Sequence, residues 1–446
     1  MELIIAELSR YVIIILFAFY TMLSFRVFTR KTENGKSAVY RAQRTLTVLV
    51  HILCGTILIM EKKEIRYVIL LLLELAFYFI FIKIYQVFYK GLSKLILNNM
   101  MNCMMIGFIM LGRLKYEYAI RQLMMAAIAM AVCLLVPLFI ERFTIWEKLG
   151  WHYAVVGILF LLLVFVIGVE KYGAKNWISV GGINIQPSEF VKIIYVFFIA
   201  GLLSKYQDFK HIVAITIAAA IHVIILVVEK DLGAALIYFV TYLVVLYVAT
   251  MQLRYLGAGL LGGTAAAVVA YKLFAHVRTR VLAWQDPWSH INAEGYQICR
   301  SLFAIGTGGL FGMGLGQGLP ESVPVVESDF IFSAISEEMG VIFAICLILV
   351  YISSYIMFVN IAMKMTKLFY KLTAFGLSVV FIFQTFMCIG GATKFIPSTG
   401  VTLPLISYGG SSIITTIVIF SIIQGMYVLN VREEAEKDGQ RESEKK

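Results

Sequence analysis

Apolar runs of membrane-spanning length recur along almost the whole chain, near residues 11–28, 45–60, 67–88, 95–112, 120–140, 152–169, 186–204, 211–229, 232–250, 254–274, 329–358, 371–392 and 405–429. Each approaches the roughly 20 residues that a helix needs to cross the hydrocarbon core. The pattern predicts an all-α polytopic membrane protein of about thirteen helices, with 45–60 the shortest. One stretch interrupts it. From His276 to Phe332 the chain carries Arg278, Arg280, Asp286, Glu294, Arg300, Glu321, Glu327 and Asp329 around a glycine-rich centre. More than about 50 residues between spans is too long for a connector. Ile298, Leu302, Phe303 and Ile305 recur regularly there, which predicts a folded cap over a site inside the membrane protein.

Composition agrees with a bilayer. Of 446 residues 61% are hydrophobic and 15% charged, and mean hydropathy is +0.87. The net charge of +11 fits Lys and Arg collected in cytoplasmic loops, not a nucleic-acid partner. Residues 26–44 hold Arg26, Arg30, Lys31, Lys36, Arg41 and Arg44 against Glu33, the strongest cytoplasmic mark in the chain. Alternating from there puts the loops at Lys90/Lys94, Arg142/Lys148, Lys205/Lys210, Arg254 and Lys364/Lys367/Lys371 inside. The N-terminus then lies outside a plasma membrane and the C-terminus in the cytoplasm. The motif-like loops at 174–189, 229–233, 276–332 and 394–412 all face outward. The six cysteines are scattered, with no CxxC, and no HExxH occurs; a disulfide framework and a structural zinc site are excluded. The run Tyr11–Phe25 is followed by RVFTRK rather than a cleavage site, so no cleavable signal peptide is expected.

Candidate chemistry gathers in the outer loops. Asp329, Ser333, Ser336 and Glu337 share one face of a predicted helix, with Ser328 as its N-cap. An acid in a first turn is also explained by the helix dipole alone. Glu337 and Glu338 at membrane depth need a partner or a role, and structural pairing and catalysis explain them equally. Arg278 and Arg280 suit a pyrophosphate or, less specifically, anionic headgroups. Lys175 and Lys394 lie in outer loops. Lys192 sits near a helix end, where snorkelling to the headgroups accounts for it. The run GTGGLFGMGLGQG (306–318) matches no dinucleotide or P-loop pattern; it reads as backbone needing tight turns and close approach. Residues 1–92 read as ordinary helices without a polar constellation, and a chain starting near Gly91 is expected to keep its chemistry.

The cap with GYQ (295–297), SDFIF…EEMG (328–340), NWISVGGINIQPSE (176–189), KDLG (230–233) and PSTGVTLPLISYGGSS (397–412) together resemble the SEDS family, the bacterial shape, elongation, division and sporulation proteins of the FtsW, RodA and SpoVE kind. The resemblance spans roughly 93–430. It implies a ten-helix SEDS-like core, three extra N-terminal transmembrane helices in 1–92, a large extracellular loop before the Asp329 helix and a disordered cytoplasmic tail over 431–446. It also implies an inverting glycosyltransferase that polymerises lipid II beside a class B penicillin-binding protein, among membrane lipids.

The family's essential aspartate falls on Asp329, the natural base for the acceptor hydroxyl. Lys175, Trp177, Glu189, Arg278, Arg280, Gln297, Glu337, Lys394 and Ser407 are the expected substrate contacts. Glu327 with Asp329 is a candidate pair for Mg or Mn, with no other cofactor needed. The chain departs from the family where Pro324-Val325-Val326-Glu327-Ser328-Asp329 lacks the usual Glu and His. Cys388 replaces a common Asn, and Glu229-Lys230 replaces Gln-Pro. A lipid II flippase and a non-catalytic scaffold for the transpeptidase are the rival readings. The crowding of polar residues on the outer side favours chemistry there.

Overall fold

The computed structural model describes residues 2–444 except 90, 144, 172–173 and 181–182. Lys90 and the Gly181–Gly182 pair therefore lie outside the described residues. Three helices precede residue 93: α1 (Glu2–Thr29), α2 (Glu33–Lys62) and α3 (Ile65–Phe88). Then come α4 (Lys94–Leu114), α5 (Tyr116–Cys133), α6 (Val136–Arg142) and α7 (Gly150–Ile167). Where a loop is predicted over 174–189, β2 (Ala174–Val180) and β3 (Ile183–Ile185) instead form an antiparallel sheet with the preceding β1 (Val169–Lys171), in the order β1-β2-β3. Next are α8 (Pro187–Leu203), α9 (Phe209–Val228), α10 (Leu232–Thr250) and α11 (Leu253–Leu273). The predicted cap folds as α12 (Ala275–Gln285) and α13 (Tyr296–Gly308), followed by the glycine run, α14 (Ile331–Lys364), α15 (Leu368–Ala392) and α16 (Gly410–Glu444).

Twelve helical segments among the described residues are long and apolar enough to cross a membrane, three of them before residue 93. With α8, an apolar helix of 17 residues, ten fall after it. α5 and α6 make one span, broken ahead of Pro137, whose ring cannot sit inside a continuous helix. α2 takes up three of the six cations of 26–44 and α1 holds Arg26, leaving only residues 30–32 outside helix. Thr32 caps it by accepting the Gly35 N–H at 3.3 Å.

The chain divides into two compact units: residues 1–131, 280–357 and 385–409 in the first, and 132–279, 358–384 and 410–446 in the second. The first is built around α4, whose apolar window is wholly buried. Here the reading of 1–92 as free of polar constellations is corrected. Tyr20 donates to Asn99 at 2.9 Å, the Asn98 amide donates to Gln43 at 3.0 Å, and the Asn102 amide donates to Thr47 at 2.9 Å. His51 and Glu74 meet at 2.9 Å between α2 and α3. Gln43, Thr47 and His51 recur every four residues and so share one helix face. The α4 partners of Gln43 and Thr47 lie 55 residues away in sequence and the partner of His51 lies on α3, so the chain read locally shows only isolated polar residues in apolar runs.

In the second unit α7, α8, α9 and α10 pack together, and α6 lies along α16. α16 runs on to Glu444 through the charged stretch that composition reads as disordered. Asn430–Glu434 at 3.1 Å and Arg432–Glu436 at 3.0 Å support its turns at i, i+4 spacing, and Arg432 also pairs with Glu141 at 2.9 Å.

Candidate active site

Asp329 does not open α14; it lies two residues before it, in a turn where the N–H groups of Ser328 and Asp329 both donate to the Val325 carbonyl at 3.2 Å. Ser328 is therefore not the N-cap expected of it. Its hydroxyl donates instead to Asp329 Oδ1 at 3.0 Å. The turn is held from outside. Ser407 Oγ donates to the Ser328 carbonyl, the Tyr408 N–H to the Glu327 carbonyl at 2.7 Å, and the Cys388 thiol to the Asp329 carbonyl at 3.6 Å. Ser407 is itself buried and accepts from the Leu403 N–H at 2.8 Å, so its hydroxyl is occupied by backbone.

A cation faces the acid. Arg280 on α12 donates to the Ser398 carbonyl at 3.2 Å, and Trp284, one turn on, donates to the Lys394 carbonyl at 3.1 Å. These bonds lay the 394–400 loop along α12. Gly400, at φ +73°, closes the arrangement: a Cβ there would lie 3.6 Å from Asp329 Oδ2 and 3.9 Å from Arg280 Nη2. Both the acid and the guanidinium thus border the space that the missing side chain leaves open. Burial raises the Asp329 carboxyl above its ordinary range and the charge of Glu327 adds to the rise; the Ser328 hydrogen bond and Arg280 oppose it.

The other predicted residues divide between the units. In the first, Gln297 is exposed on α13 and Lys394 half-buried at φ +59°. Glu337 is buried and accepts the Leu319 N–H at 3.2 Å. Its neighbour Glu338 pairs with Arg113 at 2.9 Å, and Arg113 also binds Glu321 at 2.9 Å and the Gly318 carbonyl at 3.1 Å. For Glu338 the pairing reading holds. Arg113 escaped notice in the sequence because a lone cation closing an apolar span also reads as a loop residue.

Lys175, Trp177, Glu189 and Arg278 belong to the second unit. Lys175 is exposed and donates to the Phe165 carbonyl at 3.2 Å; Arg278 is exposed on α12. The snorkelling assigned to Lys192 is corrected. It is 2% exposed, 2.5 Å from Glu189 and 2.8 Å from Gln384, and Thr415 donates to the same carboxylate at 2.9 Å. An i, i+3 acid–base pair inside an apolar helix was the signal for this. Beside it Asp231 caps α10 and accepts from Asn176 at 3.0 Å, Gln186 at 2.9 Å and Ser188 at 2.9 Å. The sequence showed these residues as motifs but gave them no role. Burial, together with Asp231, pushes Glu229 up to about 8.

Asp329 and Glu327 supply two acids, but Arg280 already brings a cation to the first of them. Among the described residues no group of three or more His, Cys, Asp or Glu stands ready for an ion.

The family model for cell cycle proteins of the FtsW, RodA and SpoVE kind matches residues 93–431. The peptidoglycan glycosyltransferase RodA of Mycobacterium tuberculosis is 36% identical over 332 residues, 70% of this chain and 71% of that protein. Stage V sporulation protein E of Bacillus subtilis is 34% identical over 313 residues, 67% of this chain and 84% of its own. Among solved structures, a chain from a peptidoglycan synthase complex superposes with TM-score 0.64 at 24% identity, covering 76% of this chain and 98% of that one. RodA of Thermus thermophilus gives 0.55 at 23%, covering 76% and 97%; at such identities the likeness speaks for the fold alone. From its family match and its relatives, this chain belongs to the FtsW/RodA/SpoVE family, the SEDS proteins its motifs resemble.

Proposed function

We propose that the chain polymerises lipid II, with Asp329 as the base and the neighbouring cations receiving the leaving group. The observation that carries this is a half-buried carboxylate that shares the open space beside Gly400 with Arg280, on a turn fixed by Ser407, Tyr408 and Cys388. Asp329 takes the proton of the acceptor sugar's 4-hydroxyl. That oxygen bonds to the anomeric carbon of the donor as its bond to the polyprenyl pyrophosphate breaks. One displacement inverts the anomeric centre. Arg280, with Lys394 in the same unit, offers charge for the departing pyrophosphate. Gln297 is assigned to the sugar–peptide headgroup and Glu337 and Ser407 to shaping its surroundings, while Lys175, Trp177, Glu189 and Arg278, of the second unit, keep the substrate role that the family resemblance implies. A class B penicillin-binding protein is the proposed partner, since a relative by fold was solved within a peptidoglycan synthase complex. The direct test is glycan-strand formation by the purified protein given lipid II alone; no product would remove the reading.

The pH profile tests the base. Asp329 works only when ionised, so activity falls as pH drops through its raised pKa. Glu327 raises that pKa and Arg280 lowers it. Glu327→Gln is therefore expected to move the acid limb to lower pH, and Arg280→Gln to move it higher while also slowing the reaction. Shifts of the same sign, or none, would count against Asp329 as the titrating group.

Orientation is proposed from the 26–44 cations, with both that segment and the C-terminus cytoplasmic and the N-terminus outside. All six native cysteines are buried. Single cysteines at Ser37 and Ser289 are expected to react with an impermeant reagent from opposite sides of the membrane. Labelling from one side would reverse the assignment.

A further inference from the structure

The glycine run and α14 are interlocked. α14 is broken at Gly340, whose φ and ψ are 85° and 165°, and the backbone groups freed there are taken up by the run. The Met313 N–H donates to the Glu337 carbonyl at 2.8 Å and Gly314 to Glu338 at 2.9 Å; Val341 donates to Gly309 at 3.0 Å and Ile342 to Leu310 at 3.2 Å. Irregular backbone at membrane depth is stable only when protein satisfies it in this way. Glycine is required for the approach, since a Cβ on Gly312 would fall 2.3 Å from the Glu338 carbonyl. From this seam the chain passes through Arg113's contacts with Gly318 and Glu321 to Asp329.

The opposite side of the run is gripped by residues outside the region that the family model matches. Arg10 Nη1 donates to the Gly312 carbonyl at 2.9 Å, and Tyr11 packs on Phe311 with ring centroids 5.4 Å apart. The Glu61 carboxylate lies so close to Gly316 that a Cβ there would clash with it. Just past the break, Phe17 stacks on Phe343 at 4.1 Å, and Thr21 donates to the Cys346 carbonyl at 3.3 Å.

We propose that residues 1–92 are a built-in brace, in which Arg10 and Glu61 hold the glycine run against the broken helix and so position the loop that ends in Asp329. Its catalytic consequence rests on the polymerase reading above. Arg10 and Glu61 are positioning residues, far from being dispensable ornament.

Hydrogen exchange in the full-length protein reads the brace without reference to activity, and lipid II polymerisation reads its consequence. Arg10→Ala and Glu61→Ala are expected to speed exchange of the 309–318 amides. Each should lower kcat by up to about 10²-fold with KM for lipid II little changed, the scale of a catalytic group displaced by about 1 Å. Arg10→Lys retains a charged donor for the Gly312 carbonyl and should restore both readouts. If Arg10→Ala fails to fold, the pair Tyr11→Cys and Phe311→Cys tests the same contact by disulfide formation. Unchanged exchange, or no crosslink, overturns the brace. Faster exchange with an unchanged rate overturns the positioning role. Wild-type protein that makes no glycan, while its exchange still responds to Arg10→Ala, removes the polymerase reading and leaves the brace standing.

Discussion

Asp329→Asn is expected to lower lipid II polymerisation by about 10²-fold or more, the scale of a lost general base, without loss of folded protein. Asparagine keeps the size of the side chain and can still accept from Ser328, whose hydroxyl lies 3.0 Å from Oδ1. It cannot take a proton from the acceptor. Stability should move the other way. A carboxyl whose pKa is raised on folding contributes stability below its unfolded pKa and loses it as pH rises through the folded one. At pH 7 the half-buried Asp329 is above its unfolded pKa, where a raised folded pKa costs stability, so the asparagine variant should melt at or above the wild-type temperature. If Asp329 were only an acid placed near a helix start, its removal would cost a few tenths of a kcal/mol and leave the rate alone. A well-folded Asp329→Asn protein with normal polymerisation would bring the flippase and scaffold readings forward.

Arg113→Met should give the largest loss of stability. The Arg113 side chain is 6% exposed and its partner Glu338 0%, with 2.9 Å between them. Methionine fills much of the volume but leaves Glu338 buried and without its cation. Removing one partner of such a pair costs about 3–5 kcal/mol, whereas replacing both by apolar residues is often neutral. Thermal melts of the purified protein should therefore show a large fall for Arg113→Met and substantial recovery in Arg113→Met/Glu338→Leu. A single mutant that melts like wild type, or a double mutant no better than the single, would show that the pair does not hold the glycine run to α14. The flippase reading needs deep charges that are free to meet a moving headgroup, and Glu338 is already committed to Arg113.

The sequence by itself determined the membrane class, most of the spans, the family and Asp329 as the acid to watch. Hydropathy is a local property, and a spanning helix must be apolar along its own length, so α7, α9, α10 and α15 are legible residue by residue. The SEDS motifs are contiguous and carry the same information locally. What the tertiary structure alone decided are pairings between segments distant in sequence. Arg113 finds Glu338 across 225 positions, Tyr20 finds Asn99 across 79, and Arg10 finds Gly312 across 302. Each residue alone reads as an isolated polar group in an apolar run, and its meaning appears only when packing brings its partner within hydrogen-bonding distance. Lys192 was read as snorkelling because it sits near a helix end; Gln384, brought to it by the fold, joins Glu189 in satisfying the buried ammonium. The break at Gly340 was hidden for the same reason. A glycine inside an apolar helix costs little, and nothing local says that the helix ends there. The break is stable only because the 309–314 backbone returns to accept and donate the hydrogen bonds that the helix gives up.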